Sequence, residues 1–366
     1  MSIFIGPAIL ILLVSIELII LSLLKKPIPW AEISTNLNSS QILMWLGRGL
    51  EVFAYHYLMT LMPYELTDFL GYGWVILIAF IVWDHQFYWL HNLHHRIPLL
   101  WYVHEVHHQG EHFNSSLGIR NSWFSSFTSL PFFLPMVAMG ISVDIFVLVS
   151  SFHYFVQFYN HNDVIQHPKW MENFFITPSL HKVHHGTNPE YLNKNCGGTL
   201  SIWDRLYNTH QKEIKGVPIQ LGIKKSFSSG SPWNINILPF LKKERPRVKL
   251  NTNPVLNIGS FLLYIQLLGY IAVEDRIGFN SGLVFVLFIF FGTIIIGRIQ
   301  EYKPFAKALW FLNYLGFGSI MFITDMYQYK PLLLVMAATG MYTIIAMILG
   351  IDDKSNEEHA PPVVTE

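Results

Sequence analysis

The chain has one cysteine, Cys196, in 366 residues. That excludes an internal disulfide and any cysteine-based zinc ribbon, since both need several thiols. A bound metal would have to be held by nitrogen, with carboxylate or water in support. Charge is the second shortage. Only 13% of the residues are charged, against about 25% in soluble domains. Lysine plus arginine equals aspartate plus glutamate at 24 each, and no basic stretch is interleaved with aromatics. Nothing here points to a nucleic-acid partner. No haem-binding signature is present. Gly197-Gly198 lacks the Gly-x-x-x-x-Gly-Lys context of a phosphate loop and reads as a tight turn.

Apolar residues fill the gap, at 52% of the chain. Residues 3–24 lack the leading basic residues and small-residue cleavage site of a signal peptide, so they read as an uncleaved transmembrane helix. Further spans are expected at about 41–62 and 70–90, then as a hairpin over 121–160 broken at Gly140–Asp144. Four more follow at about 255–273, 281–297, 306–324 and 331–350, giving nine; several carry polar interruptions that suit interfacial or re-entrant segments. The polar segment 162–253 holds thirteen of the 24 basic residues. With Lys25-Lys26, the positive-inside rule places it in the cytoplasm. Pro254 marks the boundary between a metal-bearing part, 1–253, and C-terminal transmembrane helices, 254–351; an acidic tail, 352–366, ends the chain. Glu17 and Asp325 interrupt apolar stretches, which fits either a polar path or a helix end.

Fourteen of the seventeen histidines lie between His85 and His185. Three runs share the pattern His-x-x-His-His: His91–His94–His95, His104–His107–His108 and His181–His184–His185. On a helix, positions i, i+3 and i+4 share a face, so each run can aim two or three imidazoles at one point. Neutral imidazole suits iron, zinc, copper and nickel. Eight or more imidazoles exceed the four ligands of one tetrahedral zinc and match two metals. Few carboxylates are near in sequence (Asp84, Glu105, Glu111, Asp163), so an imidazole-dominated centre is expected, unlike the carboxylate-rich di-iron sites of helical bundles. Two irons side by side can reduce dioxygen to an oxidant that attacks a C–H bond. A site at helix ends admits a lipid tail from the bilayer. Two readings of another class fit less well. A zinc hydrolase uses fewer ligands and a nearby acid, and a metal transporter places its ionisable groups near the midplane.

Several stretches carry a resemblance: Asp84 to His91, Leu100 to His108, Glu111 to Asn114 with Leu117 to Arg120, and Thr177 to Pro189, continuing through Lys194-Asn195 to Ile202-Trp203-Asp204. They resemble the fatty acid hydroxylase/sterol desaturase superfamily, and within it the alkylglycerol monooxygenase family. The likeness is strong over about 80–215 and looser in the C-terminal helices. It implies an all-α, polytopic membrane protein with a cytoplasmic, histidine-rich di-metal site on helix ends. As metal ligands it implies His91, His95, His104, His107, His108, His181, His184 and His185, with His161 as a ninth. His94 falls where the pattern requires no ligand, and His85, His112, His153 and His167 read as interfacial or hydrogen-bonding residues.

The resemblance further implies a di-iron, O2-dependent monooxygenase acting on a lipid in the bilayer. Its hydroxyl would go on the carbon beside an ether oxygen, and the hemiacetal would collapse to an aldehyde and a glycerol derivative. Tetrahydrobiopterin, or a redox protein, would be the external electron donor. The membrane would be the bacterial inner membrane or the endoplasmic reticulum. Hydroxylation or desaturation of a fatty acyl, sterol or carotenoid substrate is the alternative on the same core. Two positions depart from the animal pattern, which has arginine and glutamate where this chain has Asn92 and Arg96; Asp84 or Glu105 would have to supply the missing acid. The aromatics Trp83, Tyr88, Trp89, Trp101, Tyr102 and Trp123 suit an interfacial belt more than a ligand pocket.

Overall fold

Proline sets several of the helix boundaries. A computed structural model describes residues 5–39, 41–223, 229–241 and 248–349, so the acidic tail lies outside the described residues. These described residues form fourteen α-helices: α1 Ile5–Leu23, α2 Trp30–Asn38, α3 Gln41–Met59, α4 Tyr72–Arg96, α5 Pro98–His108, α6 Ser125–Ala138, α7 Val143–Tyr159, α8 Pro178–His184, α9 Ile202–Leu206, α10 Pro232–Leu241, α11 Pro254–Ile271, α12 Phe279–Gln300, α13 Ala306–Ile323 and α14 Lys330–Leu349. No strand occurs among the described residues; one isolated bridge joins Phe175 to Leu200. Pro98, Pro178 and Pro254 open α5, α8 and α11, where the missing N–H costs nothing. Ile97 is extended, at φ −98° and ψ 117°, as the residue before a proline must be. That corner turns α4 directly into α5.

Among the described residues, five helices are long and apolar enough to cross a membrane: Gly6–Leu23, Tyr72–Arg96, Phe279–Gln300, Ala306–Ile323 and Lys330–Ile348. The chain is an all-α, polytopic membrane protein. Three more of the nine expected spans are shorter apolar helices, Ser125–Ala138, Val143–Tyr159 and Val255–Ile271. The ninth, α3, carries Arg48, Glu51 and His56 and falls short in hydropathy. Asp325 sits at φ 54° in the turn between α13 and α14, so for that residue the helix-end reading holds.

One buried core joins α3, α4, α6 and α7 around Tyr55, Trp83, Phe133 and Ile145. Others lie among the C-terminal helices. Between them, Ile11, Val14 and Leu18 of α1 pack with residues of α2, α7 and α11. The same junction is threaded by polar contacts. Ser34 and Ser260 hydroxyls meet at 2.5 Å, Thr35 Oγ1 donates to Gln300 Oε1 at 3.2 Å, and Asn36 Nδ2 donates to Ser116 Oγ at 2.9 Å. Trp83, Tyr88 and Trp123 are buried in the interior, so they form no interfacial belt.

Candidate metal centre

Four helices bring their C-terminal ends to one place. The last two turns of α4 and α5 carry His91, His95, His104, His107 and His108; His161 follows α7 by two residues; α8 and its C-cap carry His181, His184 and His185. A helix C-terminus bears partial negative charge, which favours a cation there. Thr177 Oγ1 accepts the Leu180 N–H at 3.4 Å and caps the start of α8.

The nine histidines fall into two groups. His91, His95, His104, His108 and His184 form the first, and His107, His161, His181 and His185 the second. Within each, the ligand atoms lie within 4.8 Å of one another. The groups adjoin, with the His108 and His185 rings 4.5 Å apart. The division follows helix geometry. Residues four apart share a face, while adjacent residues differ by about 100° in direction. His104 and His108 therefore serve the first group and His107 the second; His181 and His185 serve the second and His184 the first. Two histidines of each run share a group, as the i, i+4 spacing allows, and the middle histidine of the second and third runs turns to the other group.

Backbone carbonyls fix the tautomers. His91 Nδ1 donates to the Cys196 carbonyl at 2.9 Å and His184 Nδ1 to that of Lys194 at 2.8 Å. In the second group, His107 Nδ1 donates to the Arg120 carbonyl at 2.9 Å and His161 Nδ1 to that of Gln157 at 2.8 Å. A carbonyl only accepts, so the proton sits on Nδ1 and the Nε2 lone pair faces inward. Those inward nitrogens stand close together. His104 Nε2 is 3.0 Å from His91 Nε2 and 3.0 Å from His108 Nε2, and His184 Nε2 is 3.1 Å from His108 Nε2. His161 Nε2 is 3.0 Å from both His107 and His181 Nε2 and 3.2 Å from His185 Nε2. Ligands on one cation at about 2.1 Å stand about 3.0–3.4 Å apart, so the donor sets fit a metal ion in each group. Burial holds His107 and His184 neutral, each lowered to about 4. His104, His108, His161, His181 and His185 are also pushed well below 6.5, first by burial and then by neighbouring imidazoles. Among the described residues no carboxylate joins either group.

The loop behind His91 is tightly built. Asn193 and Asn195 adopt φ 56° and 52°, a region asparagine tolerates, and between and after them the Lys194 and Cys196 carbonyls meet their histidines. Asp204 Oδ1 accepts the Cys196 N–H at 2.7 Å, and Oδ2 accepts that of Gly197 at 2.8 Å. Burial raises the Asp204 carboxyl to about 6. Asp84 accepts N–H groups of Thr199, Leu200 and Trp203, so it supports this same loop. Sequence reading missed the roles of Lys194, Cys196 and Asp204, although paired asparagines before a glycine pair were a signal of a special turn. The Cys196 thiol is buried, so it cannot serve as the exposed labelling handle that a sole cysteine suggests. Gly197 is there because nothing larger fits. A Cβ would lie 2.6 Å from Asp204 Oδ2 and 2.8 Å from the Leu200 carbonyl oxygen. Gly197→Ala is therefore expected to destabilise the protein by about 1–3 kcal/mol, as overpacking does. The check is the thermal midpoint of purified protein; an unchanged midpoint would show that the loop yields.

Five of the other histidines make contacts outside the two groups. His94 bonds the Leu90 carbonyl and Thr128 hydroxyl, His85 meets the Tyr207 hydroxyl, His112 Glu32, His153 Thr199 and His167 Tyr159. Asn92 is buried and donates to the Tyr88 hydroxyl at 3.1 Å, while Arg96 is exposed. Trp101 stands over the first group, 5.3 Å from the His95 ring and 5.6 Å from that of His108.

Comparison with known proteins agrees with this geometry. The fatty acid hydroxylase family model matches residues 76–209, a range that contains all nine histidines. Alkylglycerol monooxygenase of Danio rerio is 31% identical over 235 residues, which cover 61% of this chain and 51% of that protein. Its Homo sapiens namesake is 34% identical over 144 residues, 39% of this chain and 32% of its own. An ornithine lipid hydroxylase of Rhizobium tropici is 24% identical over 178 residues, with shares of 47% and 52%. The chain thus spans about half the length, or less, of these relatives. No solved structure matches it.

Proposed function

The chain carries a fatty acid hydroxylase domain at residues 76–209, and from that premise we propose that it is a membrane di-iron monooxygenase that hydroxylates an alkyl chain of a lipid. One observation carries the reading: two adjoining groups of buried and partly buried histidines, with ring nitrogens converging and no carboxylate in either. His91, His95, His104, His108 and His184 would hold one iron, and His107, His161, His181 and His185 the other. Iron bound there supplies the dioxygen chemistry, a role the cofactor and not the polypeptide performs. The polypeptide holds nine imidazoles in place, directs the Nδ1 protons of His91, His107, His161 and His184 at backbone carbonyls, and shields the centre with Trp101 and Phe113.

The likeness to alkylglycerol monooxygenases supports an ether lipid as substrate. One oxygen atom would enter the carbon beside the ether oxygen, and the other would leave as water with two electrons and two protons. The hemiacetal then breaks into a fatty aldehyde and a glycerol derivative. Tetrahydrobiopterin, or a redox protein, would supply the electrons. Exposed Arg96, at the end of α4 beside His95, has the planar fork that suits a phosphate, which favours a phosphorylated ether lipid. The basic residues of 162–253 and Lys25-Lys26 support a cytoplasmic position for the centre. The likeness to an ornithine lipid hydroxylase supports a second reading, hydroxylation of an acyl lipid without ether cleavage.

The test is purified protein with iron, oxygen and reduced pterin, given an alkylglycerol or an alkyl phospholipid and scored for fatty aldehyde. Aldehyde from either, with more from the phospholipid, is the expected result. No aldehyde, together with hydroxylation of an acyl lipid or sterol in the same preparation, would overturn the substrate. Two zincs in protein purified without added metal, and no oxygen uptake, would overturn the chemistry.

A further inference from the structure

Glu17 lies in the middle of α1 and is only 5% exposed. A carboxylate in an apolar helix is costly unless its oxygens find donors. Both do. Oε2 accepts the Ser115 N–H at 2.6 Å, and Oε1 accepts the Asp163 N–H at 2.9 Å. The two donors come from different loops, and each loop borders the second histidine group. Asp163 follows His161 by two residues. Ser115 follows Phe113 by two, and the Phe113 ring lies 5.7 Å from that of His161 and 5.6 Å from that of His185.

His161 lies in a turn beyond the last residue of α7. Its place therefore depends on what holds that turn. The nearby Lys182–Asp163 ion pair is exposed by 34% and 40%, and such surface pairs contribute little. The buried carboxylate is the stronger hold, since charge-assisted bonds to backbone N–H groups are short and strong.

We propose that Glu17 is a positioning residue for the second histidine group: one carboxylate ties two loops together and so fixes His161 and Phe113. The first membrane helix, outside the matched domain, is then part of the centre. This rests on the metal-centre reading above.

The experiment uses the full chain with Glu17→Gln, Glu17→Ala and, as control, Val14→Ala. Val14 is 1% exposed on the same helix; its truncation loosens α1 packing and leaves both hydrogen bonds in place. Amide exchange of metal-free protein is measured over 113–117 and 161–165. Glu17→Ala should speed exchange at both Ser115 and Asp163, and Glu17→Gln, with one carbonyl oxygen, at only one of them. Cobalt(II) titration, followed by its visible spectrum, then reads the two sites. The wild-type chain should bind two ions, and Glu17→Ala should weaken one of them by roughly 10–100-fold, as loss of a supporting contact does. Val14→Ala should weaken neither. Unchanged affinity and exchange in both Glu17 variants, or an equal loss in Val14→Ala, overturns the inference. A wild-type chain that binds no cobalt overturns the metal-centre reading, and this inference with it.

Discussion

Alanine at His107 and alanine at His108 are expected to empty different sites, although the two residues are adjacent. His107 faces His161, His181 and His185, whereas His108 faces His104 and His184. Each variant loses one imidazole from its own group and keeps the other group whole. Removing a contact that merely supports a ligand costs 10–100-fold in affinity or activity, so loss of a ligand should lower turnover by at least about 100-fold. Both variants should bind one cobalt tightly, with different visible spectra because the remaining sites have different donor sets. His181→Ala should match His107→Ala, and His184→Ala should match His108→Ala. Identical spectra for His107→Ala and His108→Ala would remove the two-group arrangement.

Replacing Arg120 is the second large effect. Its guanidinium is 4% exposed, and burial lowers it to about 10, so it stays charged at neutral pH. Nε donates to the Val106 carbonyl at 2.7 Å, Nη1 to Asn36 Oδ1 at 3.2 Å and Nη2 to Gln109 Oε1 at 2.8 Å. Its own carbonyl accepts from His107 Nδ1. Methionine fills much of the volume but leaves three acceptors without a donor, and each such loss costs about 1–3 kcal/mol. Arg120→Met should therefore lower stability by about 3 kcal/mol or more. Lysine keeps the charge but not the fork, so Arg120→Lys should recover only part of it. Thermal unfolding of metal-free protein reads both variants apart from any catalytic effect. A methionine variant as stable as wild type would show that the acceptors find other donors.

The histidine runs were legible because the spacing i, i+3, i+4 is a helix signal that needs no tertiary information. How each run divides was not. Whether His107 or His108 faces a given partner depends on how α5 docks against α8, and that is set by the Ile97-Pro98 corner and by contacts far away in sequence. His161 carries no local pattern; resemblance alone brought it into the candidate set. The loop 193–197 was equally opaque, since its contribution is two backbone carbonyls that no side chain advertises. Glu17 was visible as an anomaly in an apolar helix, but its donors are the N–H groups of Ser115 and Asp163, remote in the chain. Hydropathy found α1 and α4 and the last three helices. Its signal is weakest in α3, where Arg48 pairs with the buried Glu51.

The division of adjacent histidines also bears on the order in which a growing chain becomes complete. A ribosome that has synthesised residues up to 180 has made four of the five histidines of the first group: His91, His95, His104 and His108. Of the second group it has made only His107 and His161. The first group then still lacks His184, while the second lacks both His181 and His185. Completion of both groups is therefore a late event in biogenesis, and a nascent chain stalled before residue 181 is a half-built centre with neither group whole.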